Sequence, residues 1–183
     1  KENIDNVLKE YIDSNNYSKD IGLLSIDIDG NDYYVWEAIK CISPVIVICK
    51  YNWIFDNKKK LTVPYDEEFI RTEKHHSNLY FGASINALIS LGKQKGYEYI
   101  GCNKAGNDAF FIKKEYAIYV ENFITDSNET FNIQKAKESR DLRGKLNFVR
   151  GKDRAQLIKH LEVLDLDTNE NVKIETLLKE KIL

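Results

Sequence analysis

The feature that most constrains this chain is a pair of short, almost wholly apolar runs with one helix-length stretch between them. Gly22 to Ile28 (Gly-Leu-Leu-Ser-Ile-Asp-Ile) leads into an Asp29-Gly-Asn-Asp32 turn, and Val45 to Cys49 is β-branched through its first four residues. Runs this apolar and this short suit strands covered on both faces, as parallel strands are. Tyr33 to Ile42, between them, predicts a helix stopped at Ser43-Pro44, because proline disfavours helical backbone in the residue before it. Strand, helix and strand with short connections make one right-handed βαβ unit, and an α/β fold with a parallel sheet is expected.

The flanking sequence extends that plan. Ile4, Val7, Leu8 and Tyr11 recur at helical spacing before the polar stretch Ser14 to Asp20, and Ala83 to Lys95 repeats the pattern before Gly96, a suitable helix terminator. Tyr97 to Cys102 and Ala109 to Lys113 predict an antiparallel terminal hairpin turning at Ala105-Gly-Asn-Asp108. Between the second strand and the second helix, Asn52 to Asn78 predicts a long loop rich in charge and aromatics, and a loop of that length suggests a lid. After Tyr116 the chain turns polar. The expected organisation is an α/β domain over residues 1–116 and a small α+β tail over 117–183. The tail would hold a strand at Lys145 to Val149, a helix at Asp153 to Leu161, and a hairpin from Glu162 to Leu166 and Asn171 to Ile174.

Composition narrows the functional classes. A net charge of -2 leaves no basic excess for neutralising phosphates, so nucleic acid is not an expected partner. The longest apolar runs fall far short of the roughly 20 residues that cross a bilayer, and no signal peptide is recognisable, so a cytoplasmic protein without membrane association is expected. Cys41, Cys49 and Cys102 are an odd set without CxxC spacing and are expected as reduced core residues. The chain starts at Lys1 and has no methionine, which suggests a piece of a longer reading frame.

The candidate chemistry centres on Ile26-Asp-Ile-Asp-Gly-Asn-Asp32, which puts carboxylates at the C-terminal end of a buried strand, where open α/β sheets hold ligands. Asp27 and Asp29 would share one face of an extended strand. With Asp32 they could hold a hard cation such as Mg²⁺, and Asp27 and Asp29 are candidate catalytic bases. The plainer alternative is that Asp29 or Asn31 only caps the following helix. His76 is a third catalytic candidate, since an imidazole can accept a proton near neutral pH. Asn31, Asp32, Lys50, Asn52, His75 and Tyr80 are the candidate substrate contacts. Lys50 ends the second strand beside the first, so an ion pair with Asp27 and Asp29 is expected, which would weaken any cation there. Tyr33, Tyr34 and Trp36 are expected at the helix–sheet interface, and Lys58-Lys-Lys60 as a solvated loop tip.

Several segments together resemble a bacterial family of FkbM-related methyltransferase-like proteins associated with surface-glycan biosynthesis. They are Leu23-Leu-Ser-Ile-Asp-Ile-Asp-Gly-Asn-Asp-Tyr-Tyr-Val-Trp36, Val63-Pro-Tyr-Asp66, Ser77-Asn-Leu-Tyr-Phe-Gly-Ala-Ser84, and Gly96-Tyr with Gly101-Cys-Asn103. The similarity runs from Asn3 through Phe111 and more weakly into Glu138-Ser-Arg-Asp141. It implies a partial Rossmann-like, class I methyltransferase sheet in which these strands are the fourth to seventh of seven. It also implies an S-adenosylmethionine-dependent enzyme that methylates an oxygen of a sugar or small metabolite. The Gly-rich loop and acidic strand end that hold the donor in such sheets are missing here, so this chain by itself is expected to bind S-adenosylmethionine poorly. Lys50 stands where the resemblance implies an acid. Without a neighbouring strand, Leu23 to Ile28 would be an open apolar edge, for which a homodimer or another edge-strand partner is expected.

Two other readings compete. Asp27-Ile-Asp-Gly also resembles the opening motif of haloacid-dehalogenase-type, Mg²⁺-dependent phosphatases, although Asn31 stands where that family has threonine. The third is a non-catalytic domain that binds a partner through its open edge.

Overall fold

β1 (Leu23–Ile26) and β2 (Ile46–Lys50) pair in parallel, Leu23 opposite Ile46 and Ile26 opposite Cys49. A computed structural model describes the chain over residues 1–123 and 138–183. α2 (Asp32–Ala38) supplies the crossover and is shorter than the apolar spacing predicts. Its last turn ends early because Ile39 is extended and the Lys95 ammonium donates to the carbonyls of Glu37 (3.3 Å) and Ile39 (2.8 Å). A cation there meets the negative end of the helix dipole.

β4 (Tyr97–Cys102) and β5 (Asp108–Lys113) form the expected hairpin, and β5 returns between β4 and β2. The sheet order is β1-β2-β5-β4, one parallel pair followed by antiparallel pairs. The architecture is therefore α/β, with a sheet that is more antiparallel than a run of βαβ units would give.

Burial explains the second apolar run but not the first, which the sequence predicts to be covered on both faces: in β1 only Ile26 is buried, while Leu23, Ser25 and the following Ile28 are exposed. Val47, Cys49, Ala109 and Phe111 are wholly buried, and the Trp36 ring lies 4.7 Å from Phe111 and 6.0 Å from Tyr97. α4 (Ile85–Gln94) starts where the Ser84 hydroxyl accepts from the Ala87 N–H at 3.2 Å. It lies close on the sheet because Gly92 carries no side chain: a Cβ there would sit 3.0 Å from the Phe111 ring and 3.1 Å from Trp36. α1 (Ile4–Ser14) is pinned by Asp5, whose carboxylate accepts from the N–H groups of Lys40 and Cys41.

The long loop departs from expectation. Ile54, Phe55, Leu61 and Val63 are buried, and β3 (Leu61–Thr62) pairs antiparallel with β6 (Glu162–Asp165) of the tail. β6 continues into the expected hairpin with β7 (Glu170–Lys173), making a second sheet of order β3-β6-β7. α5 (Asp153–Leu157) and α6 (Ile174–Lys179) pack under it, closing a second core around Phe55, Leu79, Ile158, Ile174 and Leu177. Most of this loop is thus structural, and the lid reading does not describe it. The lysine run is not a free tip either, since Lys59 pairs with Asp165 and Lys60 with Asp167, both at 2.6 Å. Lys145 to Val149 is no strand; Arg140 and Leu146 make an isolated bridge. Part of the polar stretch expected from Asn122 onward lies outside the described residues.

Among the described residues β1 has no partner on its outer side, and Leu23 is 52% exposed. No described helix is long and apolar enough to cross a membrane.

The second core predicts a large effect from a residue in the tail. Ile158 is fully buried, so Ile158→Ala should cost about 2–5 kcal/mol in urea-denaturation stability. A loss under about 1 kcal/mol would mean that the tail is not packed as described.

Candidate functional site

The carboxyl end of β1 is held by Asp32. This buried side chain accepts from the backbone N–H of Ile28 (3.0 Å) and of Gly30 (2.8 Å), closing the turn that leads into α2. Burial raises the Asp32 carboxyl above its ordinary range, and the two amide donors only partly offset this. Its oxygens therefore serve the backbone. Asn31 does not cap α2; its amide donates 2.7 Å to the Asp66 carbonyl.

Asp27 and Asp29 do come together, but not by strand alternation, because β1 ends at Ile26 and Asp29 takes a left-handed backbone (φ 57°). Aspartate tolerates that region better than most residues. The Lys50 ammonium gathers both carboxylates, donating to Asp27 Oδ1 at 2.6 Å and Asp29 Oδ1 at 2.8 Å. Parallel strands that end side by side produce this pairing, as expected. Burial works against the charge on Lys50, yet hydrogen bonds to the two carboxylates outweigh it and raise its pKa. Burial alone would raise Asp29 as well, but the Lys50 hydrogen bond and the charge of Arg71 hold its carboxyl below the usual range.

Arg71, on the short helix α3 (Arg71–Lys74), is the residue that sequence reasoning missed. Its Nη1 donates to Asp29 Oδ1 at 2.5 Å, its Nε to the Asn78 carbonyl at 2.8 Å, and its guanidinium lies 4.1 Å from the Phe81 ring centroid. One signal was available: Arg71 is the sole Lys or Arg between Leu61 and Glu73. Beside it opens a cleft of about 390 Å³ lined by Ile28, Asp29, Phe69, Arg71, Asn78 and Glu138 among others. Phe69 lies over the turn, and a Cβ on Gly30 would be 2.3 Å from its ring.

The other candidates sit elsewhere. The Asn52 amide donates to the carbonyls of Leu79 (2.9 Å) and Phe81 (3.0 Å) while its oxygen accepts from the Ile54 N–H, so it braces the loop. The Tyr80 hydroxyl donates to the Glu162 carbonyl and ties the loop to the tail. His75 is buried, with Nδ1 2.7 Å from the Ser77 hydroxyl and its ring 4.2 Å from His76 and 5.3 Å from His160. Burial, then the two neighbouring imidazoles, lower its pKa to about 4. His76 is exposed and lines a separate hollow with Arg140, Asp141 and Leu157.

Neither implied cofactor fits these residues alone. For Mg²⁺, Asp27 and Asp29 are bonded to cations and Asp32 to amides, and no described group of three His, Cys, Asp or Glu side chains could hold a metal. For S-adenosylmethionine, the strand-to-helix turn offers only Gly30, whose backbone Phe69 covers. Gly101 and Gly106 belong to the β4–β5 strand and turn.

Lys50→Met should take from Asp27 its Lys50 ion pair, leave Asp29 with Arg71, and lower stability at pH 7 on the order of 1–3 kcal/mol. The deficit should shrink in urea titrations only as pH falls below about 3.8, the ordinary aspartate value, because Asp29, held below that value in the folded chain, loses its charge there; a constant deficit would contradict the pairing. His75 gives a second pH signature. It binds its proton near pH 4 folded but near 6.5 unfolded, so the unfolded chain holds more protons between those values and stability falls as pH drops through that window. His75→Gln should flatten that part of the profile, and an unchanged slope would count against a buried neutral imidazole. No protein-family model, curated protein or solved structure matches this chain, and its chemistry is read from the residues of the cleft.

Proposed function

We propose that this chain is the acceptor-binding part of an S-adenosylmethionine-dependent methyltransferase that acts on a hydroxyl of a sugar or related small metabolite, of the kind used in surface-glycan synthesis. The observation that carries the reading is the cleft beside Asp29, at the carboxyl end of the β1–β2 pair, where α/β sheets bind ligands. The order β1-β2-β5-β4 also agrees with a Rossmann-like sheet that closes in an antiparallel hairpin.

The lining suits a polyhydroxylated, uncharged molecule. Asp29, which lines the cleft, stays about half exposed while paired, as does the neighbouring Asp27, and this leaves carboxylate oxygen free to accept from hydroxyls. Lys50 and Arg71 balance their charge, which disfavours a cationic ligand. Phe69 offers an aromatic face to the apolar side of a sugar ring. Asp29, held ionised, orients an acceptor hydroxyl by accepting its hydrogen bond. The donor needs residues beyond those that line this cleft, and the unpaired edge of β1 is the position at which such a strand would join.

The unpaired edge and the covered Gly30 also favour a second reading, a non-catalytic domain retained for binding a partner. The phosphatase reading is the weaker one, because its magnesium ligands are engaged by Lys50, Arg71 and amides.

The test is methyl transfer from labelled S-adenosylmethionine to saccharide acceptors by the whole gene product. Transfer should fall by about a hundredfold or more in Asp29→Asn, with the melting temperature followed as a control for folding. A whole protein that neither binds the donor nor labels an acceptor would leave the partner-binding reading in its place.

A further inference from the structure

A compact hairpin in the tail combines two surface properties that oppose each other in water. Its limbs are joined where the Asn147 N–H donates to the Ser139 carbonyl (2.9 Å), the Val149 N–H donates to the Ser139 hydroxyl (2.8 Å), and Arg140 bridges Leu146. Asp141 closes the tip, accepting from the N–H groups of Arg143 and Lys145, both at 2.9 Å, while Gly144 takes φ 76°. On this fixed scaffold Leu142 is 84% exposed, Phe148 51% and Leu146 41%.

The same stretch is basic. Arg140, Arg143, Lys145, Arg150 and Lys152 fall within 13 residues. Of the acids beside it, Glu138 pairs with Arg140 at 2.6 Å and Asp141 accepts from the tip amides, which leaves Asp153 at the start of α5 as the acid next to Lys152. Arg143, Lys145, Arg150 and Lys152 have no ion-pair partner among the described residues. Exposed apolar side chains interspersed with unneutralised cations along one short segment match the layered chemistry of an anionic membrane surface, where phosphates lie above hydrocarbon. A nucleic acid would use the cations and give Leu142 and Phe148 no role.

We propose that this hairpin docks the protein on an anionic lipid bilayer, Leu142, Leu146 and Phe148 entering the acyl boundary while Arg143, Lys145, Arg150 and Lys152 meet headgroup phosphates. The association is peripheral and departs from the expectation, drawn from the lack of a spanning segment, that no membrane is involved. It is independent of the reaction proposed above.

Co-sedimentation of the full chain with lipid vesicles tests it. Vesicles of phosphatidylcholine with one-third phosphatidylglycerol should bind at least tenfold more tightly than phosphatidylcholine alone, and added salt should weaken the binding. Arg143→Gln with Lys145→Gln should reduce binding roughly fivefold per charge removed. Leu142→Ser with Phe148→Ser should reduce it about tenfold or more while shifting the melting temperature little, because Leu142 is 84% and Phe148 51% exposed. Equal binding to both vesicle types overturns the proposal. So does full retention of binding by the Leu142→Ser, Phe148→Ser variant, which would reveal a general polyanion patch, as would complete competition by an oligonucleotide.

Discussion

Lys50 is the last residue of a strand whose preceding positions Val47 and Cys49 are wholly buried, so its ammonium emerges where the sheet ends and has to be neutralised there. Two carboxylates at the end of the neighbouring strand do this at 2.6 and 2.8 Å. Burying a lysine that far is unfavourable unless its charge is compensated and its donors are used. The pairing therefore fixes the path of the chain after β1, including the left-handed turn at Asp29, and that path sets the entrance to α2. Asp32 completes the turn from beneath by taking up the free amides of Ile28 and Gly30. Fold and cleft share one electrostatic anchor.

Three acids in a short segment look alike in sequence and differ in the folded chain. Asp32 is spent on backbone, Asp27 on Lys50, and Asp29 on both Lys50 and Arg71. Only the last lines the cleft. A charge-balanced rim of this kind is a poor metal site, because each cation that neutralises the carboxylates also competes with a metal for them.

The two sheets show how the loop after β2 connects the chain. Asn52 braces it against the carbonyls of Leu79 and Phe81, Leu61–Thr62 pairs with β6, and Lys59 and Lys60 reach acids of the tail. The segment that reads as a mobile lid is the seam between two cores, and it carries Phe69 and Arg71 to the cleft.

The sequence by itself determined the elements whose information is local. The apolar runs at Leu23 and Ile46, the helix before Gly96 and the two hairpins followed from periodicity and turn chemistry, and the Lys50 pairing followed from parallel strands ending together. Tertiary structure alone decided what depends on contacts between distant residues. Leu61 and Thr62 are too short a run to signal a strand, and they become one because β6 lies more than a hundred positions along the chain with open hydrogen-bonding groups. Asp32 carries no mark that separates it from Asp29 until the turn buries one and not the other. Arg71 joins the cleft because the loop folds back across Phe81, and no local propensity encodes that return.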